Sequence, residues 1–245
     1  MSSLFNNIGI IIQARMGSTR LPSKIMLPVN GHPIFQSQIN RVRTINYPIY
    51  IATTIQPADN AIVDFAEQNN IPCFRGNENN VLSRYYECAK ENKLDIIVRI
   101  TSDCPLIDPV LIKKGLDEYL IMADNNLFLS NTINRTYPFG FDFEIFSFHL
   151  LEDAFHCAVD SSDKEHVTPY IWKNKGGRVH TKQLTRSTDE SKYRLTLDTT
   201  EDYILLKTLI EQYHADSMSG NEIIKLMQIH PELALINQHI EQKKI

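Results

Sequence analysis

Along this chain, short apolar runs alternate with stretches in which apolar residues return every three or four positions. Ile8-Gly9-Ile10-Ile11-Ile12 is almost continuously apolar, the pattern of a strand covered on both faces in a parallel sheet. Pro33 then stands where a helix can begin, and Ile34, Phe35, Ile39 and Val42 give that helix an apolar stripe. The alternation continues with a strand over 48–53, a helix over 60–68, a strand over 71–74 and a helix over 80–91. Residues 94–100 form a second buried strand, followed by a helix over 108–122 and a short strand over 127–130. Strands alternating with helices of this length imply right-handed crossovers and a mainly parallel sheet, hence an α/β fold.

The middle of the chain changes character. Phe141-Asp142-Phe143-Glu144-Ile145-Phe146 has period two, which places Asp142 and Glu144 on one face and the aromatics on the other. Helices over 150–159 and 166–173 and strands over 178–184 and 193–197 complete a region, about 131–190, that reads as an extension of the main sheet rather than an independent domain. An amphipathic helix over 200–213 follows, then two short helices over about 220–243, the last opened by Pro231. No internal repeat is present, and residues 1–245 read as a single domain.

Composition narrows the function classes. A chain of 245 residues buries a substantial core without disulfides. Its formal charge of −4 argues against nucleic-acid binding through a broadly basic surface, but leaves room for a small anionic ligand met by local positive charge. Cys73, Cys88, Cys104 and Cys157 are too widely spaced for a zinc knuckle. With no secretion signal and an apolar start too short to span a bilayer, free thiols and a cytoplasmic location are expected.

The local positive charge sits directly after the first buried strand, where open α/β sheets bind ligands. Arg15, Arg20 and Lys24 fall within ten residues, and Gly17, Ser18 and Thr19 turn the backbone and offer N–H and hydroxyl donors. Such a loop suits a polyphosphate. It lacks the second Gly and the Ser or Thr that flank the lysine of a Walker loop, and it lacks the dinucleotide fingerprint. Charge alone fits a solvated basic turn equally well.

Asp103 follows the second buried strand, and Asp198 follows Tyr193-Arg194-Leu195-Thr196-Leu197. One carboxylate from each of two strand ends suits Mg²⁺ held beside phosphates, and a helix cap is the competing reading of each. Asp108 and Asp202 read as caps. Asp142, Glu144, Glu165 and His166 are candidates for substrate contact; read alone, they equally suit a half-exposed strand and a helix start. Cys104 lies at a helix start that would lower its pKa, but no base stands beside it, and it reads as a packing residue.

The segment from Ile12 to Lys24 closely resembles the nucleotide loop of the acylneuraminate and ulosonate cytidylyltransferases, and most of all their branch named for spore-coat polysaccharide biosynthesis. Phe74-Arg75-Gly76, Val81-Leu82-Ser83-Arg84-Tyr85-Tyr86, Arg99-Ile100-Thr101-Ser102-Asp103-Cys104-Pro105, Gly140 to Glu144, Glu165-His166-Val167-Thr168-Pro169-Tyr170, Arg194 to Thr199 and His230-Pro231-Glu232-Leu233 continue the resemblance in order. It implies a three-layer α/β/α nucleotide-diphospho-sugar transferase-like (Rossmann-like) fold. It also implies Mg²⁺-dependent transfer of CMP from CTP to an acidic sugar with release of pyrophosphate, and a homodimer formed through the middle extension.

By resemblance, Arg15 and Lys24 hold phosphates, and Gly17, Ser18 and Arg20 shape the loop. Arg75 and the backbone at Ala14 read cytosine, Thr101 lines the nucleotide site, and Asp103 and Asp198 are the metal carboxylates. Three departures stand out: Ser23 replaces a usual Gly and requires an ordinary backbone angle there, Ser102 replaces the Gly before the metal Asp, and Phe139 replaces a smaller residue near acceptor access. The alternatives are transfer to a sugar phosphate and a non-catalytic nucleotide-binding protein.

Overall fold

Ile10 and Ile12 pack into the core on one side of a central sheet and Ile11 into the core on the other, which is how a strand with no polar face becomes fully covered. The computed structural model describes residues 7–242. Its first half runs β1 (Ile8–Gln13), β2 (Pro28–Val29), β3 (His32–Pro33), α1 (Ile34–Arg43), β4 (Ile49–Thr54), α2 (Asn60–Gln68), β5 (Cys73–Gly76), α3 (Val81–Glu91), β6 (Ile96–Thr101) and α4 (Pro109–Met122). The second half runs β7 (Leu127–Ser130), β8 (Glu144–Ser147), α5 (Phe148–Cys157), α6 (Ser161–His166), α7 (Pro169–Trp172), β9 (His180–Gln183), α8 (Thr200–Tyr213), α9 (Gly220–Ile229) and α10 (Pro231–Leu235).

Seven strands form the main sheet in the order β5-β4-β1-β6-β8-β7-β9. β8 pairs antiparallel with both neighbours, and every other pairing in the sheet is parallel. The chain moves outward from β1 through β4 to β5 and then returns to place β6 on β1's other side. That reversal opens a crevice beyond the carboxyl ends of β1 and β6, the usual ligand position in such sheets. The apolar stripes of α1, α2, α4, α8 and α9 cover one face, and those of α3, α5 and α7 cover the other, giving three layers.

Each fully buried Leu, Ile or Phe in these layers contributes on the order of 1.5–3 kcal/mol. Two buried polar groups fix how the layers meet. The Arg41 guanidinium, on α1, donates to the carbonyls of Ile107, Ala215, Asp216 and Met218, tying the entry of α4 to the segment after α8. The Tyr85 hydroxyl, on α3, lies 3.0 Å from the carbonyl of Ile100, under the end of β6.

The sequence pattern and the structure differ in four places. The strand expected over 71–74 begins at Cys73, because Pro72 has no N–H to give the ladder and contributes only its carbonyl, to Ile51. Phe146 shares the Glu144 face of its strand, so only Phe141, Phe143 and Ile145 pack on the opposite side. Of the helix expected over 166–173 only α7 (Pro169–Trp172) forms; His166 instead ends α6, which begins at Ser161, and Val167 (φ 71) breaks the two apart. Finally, 193–197 is extended without becoming a strand; it bonds to Phe139 and Asp103 instead of a full neighbour. Both β8 and β9, from the expected extension 131–190, lie within the main sheet. Helix α10 ends at Leu235, and position 243 of the expected tail lies outside the described residues.

Candidate active site

A cavity of about 480 Å³ opens at the crevice between β1 and β6. Ala14, Arg15, Gly17, Ser18, Arg20 and Lys24 line it from the first loop, Thr101, Ser102 and Asp103 from the end of β6, and Asp198 from the segment before α8. Ser161, Lys164, Glu165 and His166 form the opposite wall, and Glu78, Asn79, Val81 and Arg84 a third.

The loop is held by its neighbours rather than by a glycine-rich backbone. Ala14 N–H donates to Ala52 O at 3.1 Å, and the N–H groups of Ser18 and Ser23 both donate to Met16 O. Met16 N–H in turn donates to Oδ1 of Asp59 at 2.7 Å, and the other carboxylate oxygen accepts Thr54 N–H and the Thr54 hydroxyl. Asp59 is 2% exposed, so this carboxylate belongs to the scaffold beneath the loop. Ser23 has φ 56 and ψ 24, in the left-handed region. The ordinary angle expected for a serine in place of Gly is therefore not what the loop adopts, and the substitution carries strain.

Asp103 and Asp198 are brought together by backbone docking. Leu197 N–H and the Thr196 hydroxyl both donate to Asp103 O, at 2.8 and 3.1 Å. Between the two carboxylates lies the Lys24 ammonium, 2.7 Å from Oδ1 of Asp198 and 3.4 Å from Oδ2 of Asp103. Arg20 and Arg194 meet Oδ2 of Asp198 at 3.0 and 3.1 Å. Burial opposes the charge on Lys24, but Asp103 and Asp198 outweigh it and hold the ammonium above its ordinary pKa. Burial likewise opposes charge on Asp198, and Lys24, Arg20 and Arg194 outweigh that cost and hold its carboxyl below the usual range. Arg15 is exposed and has no carboxylate partner among the described residues.

One cation already sits within reach of both carboxylates, so the pair fits a divalent metal. Among the described residues no third His, Cys, Asp or Glu joins them. Mg²⁺ commonly takes one or two carboxylates and completes its shell with phosphate oxygens and water, which suits this donor set.

Three expected contacts lie elsewhere. Arg75 does not line the cavity: its guanidinium donates to Thr54 O, Asn60 Oδ1 and Gln56 O, clamping the turn that carries Asp59. Asp142 forms a two-pronged pair with Arg135 at 2.5 and 2.9 Å. Glu144, 8% exposed, accepts from Arg99 at 2.7 Å and from the Thr168 hydroxyl at 3.0 Å. It therefore supports the cavity wall from behind. Thr168 N–H also donates to His166 O at 2.8 Å across Val167, a strained γ-turn for a β-branched residue, and this turn sets His166 at the cavity. Phe139 lies outside the cavity, with its ring under the Arg135 guanidinium at 4.0 Å. Cys104 is 1% exposed, and burial pushes its thiol up, opposite to the lowering expected at a helix start.

Sequence reasoning gave no site role to Arg84, Lys164 or Asp59. The one available signal concerned Arg84, a charge among the apolar positions of α3; it is 2% exposed and its Nε has no partner. Asp108 and Asp202 do cap helices, accepting Val110 N–H and completing a capping box with Thr199.

Comparison with known proteins agrees with this geometry. The family model described as cytidylyltransferase matches residues 9–236. An uncharacterized protein of Methanocaldococcus jannaschii, MJ1063, is 35% identical, with 95% of each chain covered. The spore coat polysaccharide biosynthesis protein SpsF of Bacillus subtilis is 30% identical, with 94% of this chain and 97% of SpsF covered. Among solved structures, a cytidylyltransferase from Leptospira borgpetersenii serovar Hardjo-bovis superposes with a TM-score of 0.87 at 34% identity, covering 97% of this chain and 99% of that one. With a match over nearly its whole length and the loop, lysine and carboxylates gathered at one crevice, the chain belongs to the cytidylyltransferase family and is a CTP-dependent nucleotidyltransferase.

Proposed function

We propose that this enzyme transfers CMP from CTP to a sugar acid, with Mg²⁺, for the synthesis of a surface polysaccharide. The observation that carries the reading is the Lys24 ammonium placed between Asp103 and Asp198 at the mouth of a loop bearing Arg15 and Arg20. In-line transfer between two anionic partners demands charge neutralisation and alignment more than a covalent nucleophile. Arg15, Arg20 and Lys24 supply the cations for the triphosphate, and Asp103 and Asp198 would hold the metal. Bound there, Mg²⁺ would neutralise charge on the phosphates as pyrophosphate departs.

An anionic acceptor is supported by Lys164, which lines the cavity from α6 and has no ion-pair partner among the described residues. The ordered motifs shared with ulosonate cytidylyltransferases point the same way. A homodimer and a cytoplasmic location complete the proposal; no helix among the described residues is long and apolar enough to cross a membrane.

The test is a pyrophosphate-release screen that crosses the common nucleoside triphosphates with ulosonic acids, hexuronic acids and sugar phosphates. Release should need CTP, Mg²⁺ and a sugar acid together. Turnover with a sugar phosphate alone would move the enzyme to the other acceptor class, and background release throughout would remove the enzymatic reading. Once an acceptor is found, Lys164→Ala should raise its KM about tenfold, the cost of one charge-assisted contact of about 1.4 kcal/mol, and leave the KM for CTP unchanged.

A further inference from the structure

Resting on the cytidylyl-transfer reading, we propose that Arg194, Asp202 and Asn237 form a positioning relay that aims Asp198 into the cavity, so that the segment after α10 completes the active site. Asp198 presents its two carboxylate oxygens differently. Oδ1 meets Lys24 in the cavity, whereas Oδ2 is shared by Arg20 of the cavity-lining loop and by Arg194, which lies outside the lining. Arg194 is 6% exposed and cannot swing away, because its Nε and Nη2 form a fork onto both oxygens of Asp202, each at 2.9 Å.

Asp202 is fully buried, and its Oδ2 also accepts the backbone N–H groups of Asp198 and Thr199 at 2.9 and 3.0 Å. One carboxylate therefore fixes the Asp198 backbone directly and its side chain through Arg194. Asn237, 2% exposed, closes the arrangement: its amide donates to Oδ1 of Asp202 at 2.8 Å and to Arg194 O at 2.9 Å. Among the described residues beyond α10, Gln242 is the other side chain in this cluster, meeting Nη1 of Arg194.

A cluster that served only to anchor the tail would use any pair of buried partners. Here Oδ2 of Asp202 and Nη2 of Arg194 both converge on Asp198, the residue that faces Lys24, while Nη1 of Arg194 turns to Gln242. Partners behind a metal-binding carboxylate commonly change metal affinity 10–100-fold when removed. Arg194, Asp202 and Asn237 lie outside the cavity lining, so their influence on it passes through Asp198.

The experiment measures Mn²⁺ binding by electron paramagnetic resonance, using the full chain and a non-transferable CTP analogue with a methylene bridge between the α and β phosphorus atoms. Asn237→Ala should weaken Mn²⁺ binding at least tenfold while the analogue alone binds as it does to the unaltered protein. Arg194→Lys, which keeps the charge and loses the fork, should weaken Mn²⁺ binding further. In turnover, kcat should fall and the KM for CTP should hold. Folded Asn237→Ala protein with unaltered Mn²⁺ affinity overturns the relay and leaves cytidylyl transfer intact.

Should that variant not fold, hydrogen exchange on the unaltered protein decides. Amides in 233–242 should exchange more slowly once Mn²⁺ and the analogue are bound, and unchanged exchange overturns the relay. If the unaltered protein binds neither Mn²⁺ nor the analogue, the transfer reading falls and the relay with it.

Discussion

Ser23 and His166 show how much chemistry rests on single side chains here. Ser23 holds a left-handed backbone angle that costs a non-glycine residue roughly 1–2 kcal/mol. Ser23→Gly removes that strain but loosens the unfolded chain by roughly 0.4–1 kcal/mol, so a net gain of about 0.5–1 kcal/mol is expected. Differential scanning calorimetry should show a rise of roughly 2–4 °C per kcal/mol gained, and a lower Tm would refute it. Burial, assisted by Arg99 and Lys173, lowers the pKa of His166 against the pull of Glu165, so the ring is neutral at pH 7. With the folded pKa below the unfolded value of about 6.5, its contribution to stability is complete above that pH and is lost as pH falls through the folded value. The unaltered protein should therefore lose more Tm between pH 7 and pH 5 than His166→Asn, and equal losses would contradict the shift. Residue positions were legible in the sequence where chain order sets them: Lys24, Asp103 and Asp198 meet at the crevice. Arg75 was not, because its direction depends on which carbonyls the 54–60 turn offers.

Elements with one clear apolar face were readable almost to their ends. The helix Thr200–Tyr213 falls where its pattern puts it, as does the strand Leu127–Ser130, which is buried on both faces. Helix α6, with the sequence Ser-Ser-Asp-Lys-Glu-His, has no apolar stripe to announce it, although it carries one wall of the cavity. The short turn Pro57–Asp59 between β4 and α2 is equally silent in the sequence, yet its Asp59 fixes the loop through Met16 N–H. Asp59→Ala would leave that N–H and both Thr54 donors without their acceptor, a cost of roughly 1–3 kcal/mol. Chemical denaturation should show this loss, and the KM for CTP should rise, with Asp59→Asn falling between the two because it keeps one acceptor oxygen. A KM unaffected by Asp59→Ala would mean that the loop holds its shape alone.

At the scale of the whole molecule, alternating strands and helices made the mainly parallel α/β sheet legible, the family resemblance supplied the three layers, and the observed reversal between β1 and β6 places the crevice. Pattern alone could not show that a late segment, β8, enters the sheet beside β6 in the opposite direction, since that pairing joins residues far apart in the chain. The fold also settles the reactivity of its thiols. All four are free, with Cys157 exposed at the end of α5, Cys73 half-buried, and Cys88 and Cys104 buried. Burial pushes the Cys73 and Cys88 thiols up to about 11 and about 12, and that of Cys104 upward as well. The thiolate is the nucleophile that attacks the disulfide of Ellman's reagent, so one equivalent should react quickly and the other three only after denaturation. Three fast equivalents would contradict the burial. Cys157 lies outside the cavity lining, and this makes it a ready attachment point for a fluorophore or spin label. Turnover could then be followed one molecule at a time without first removing any cysteine.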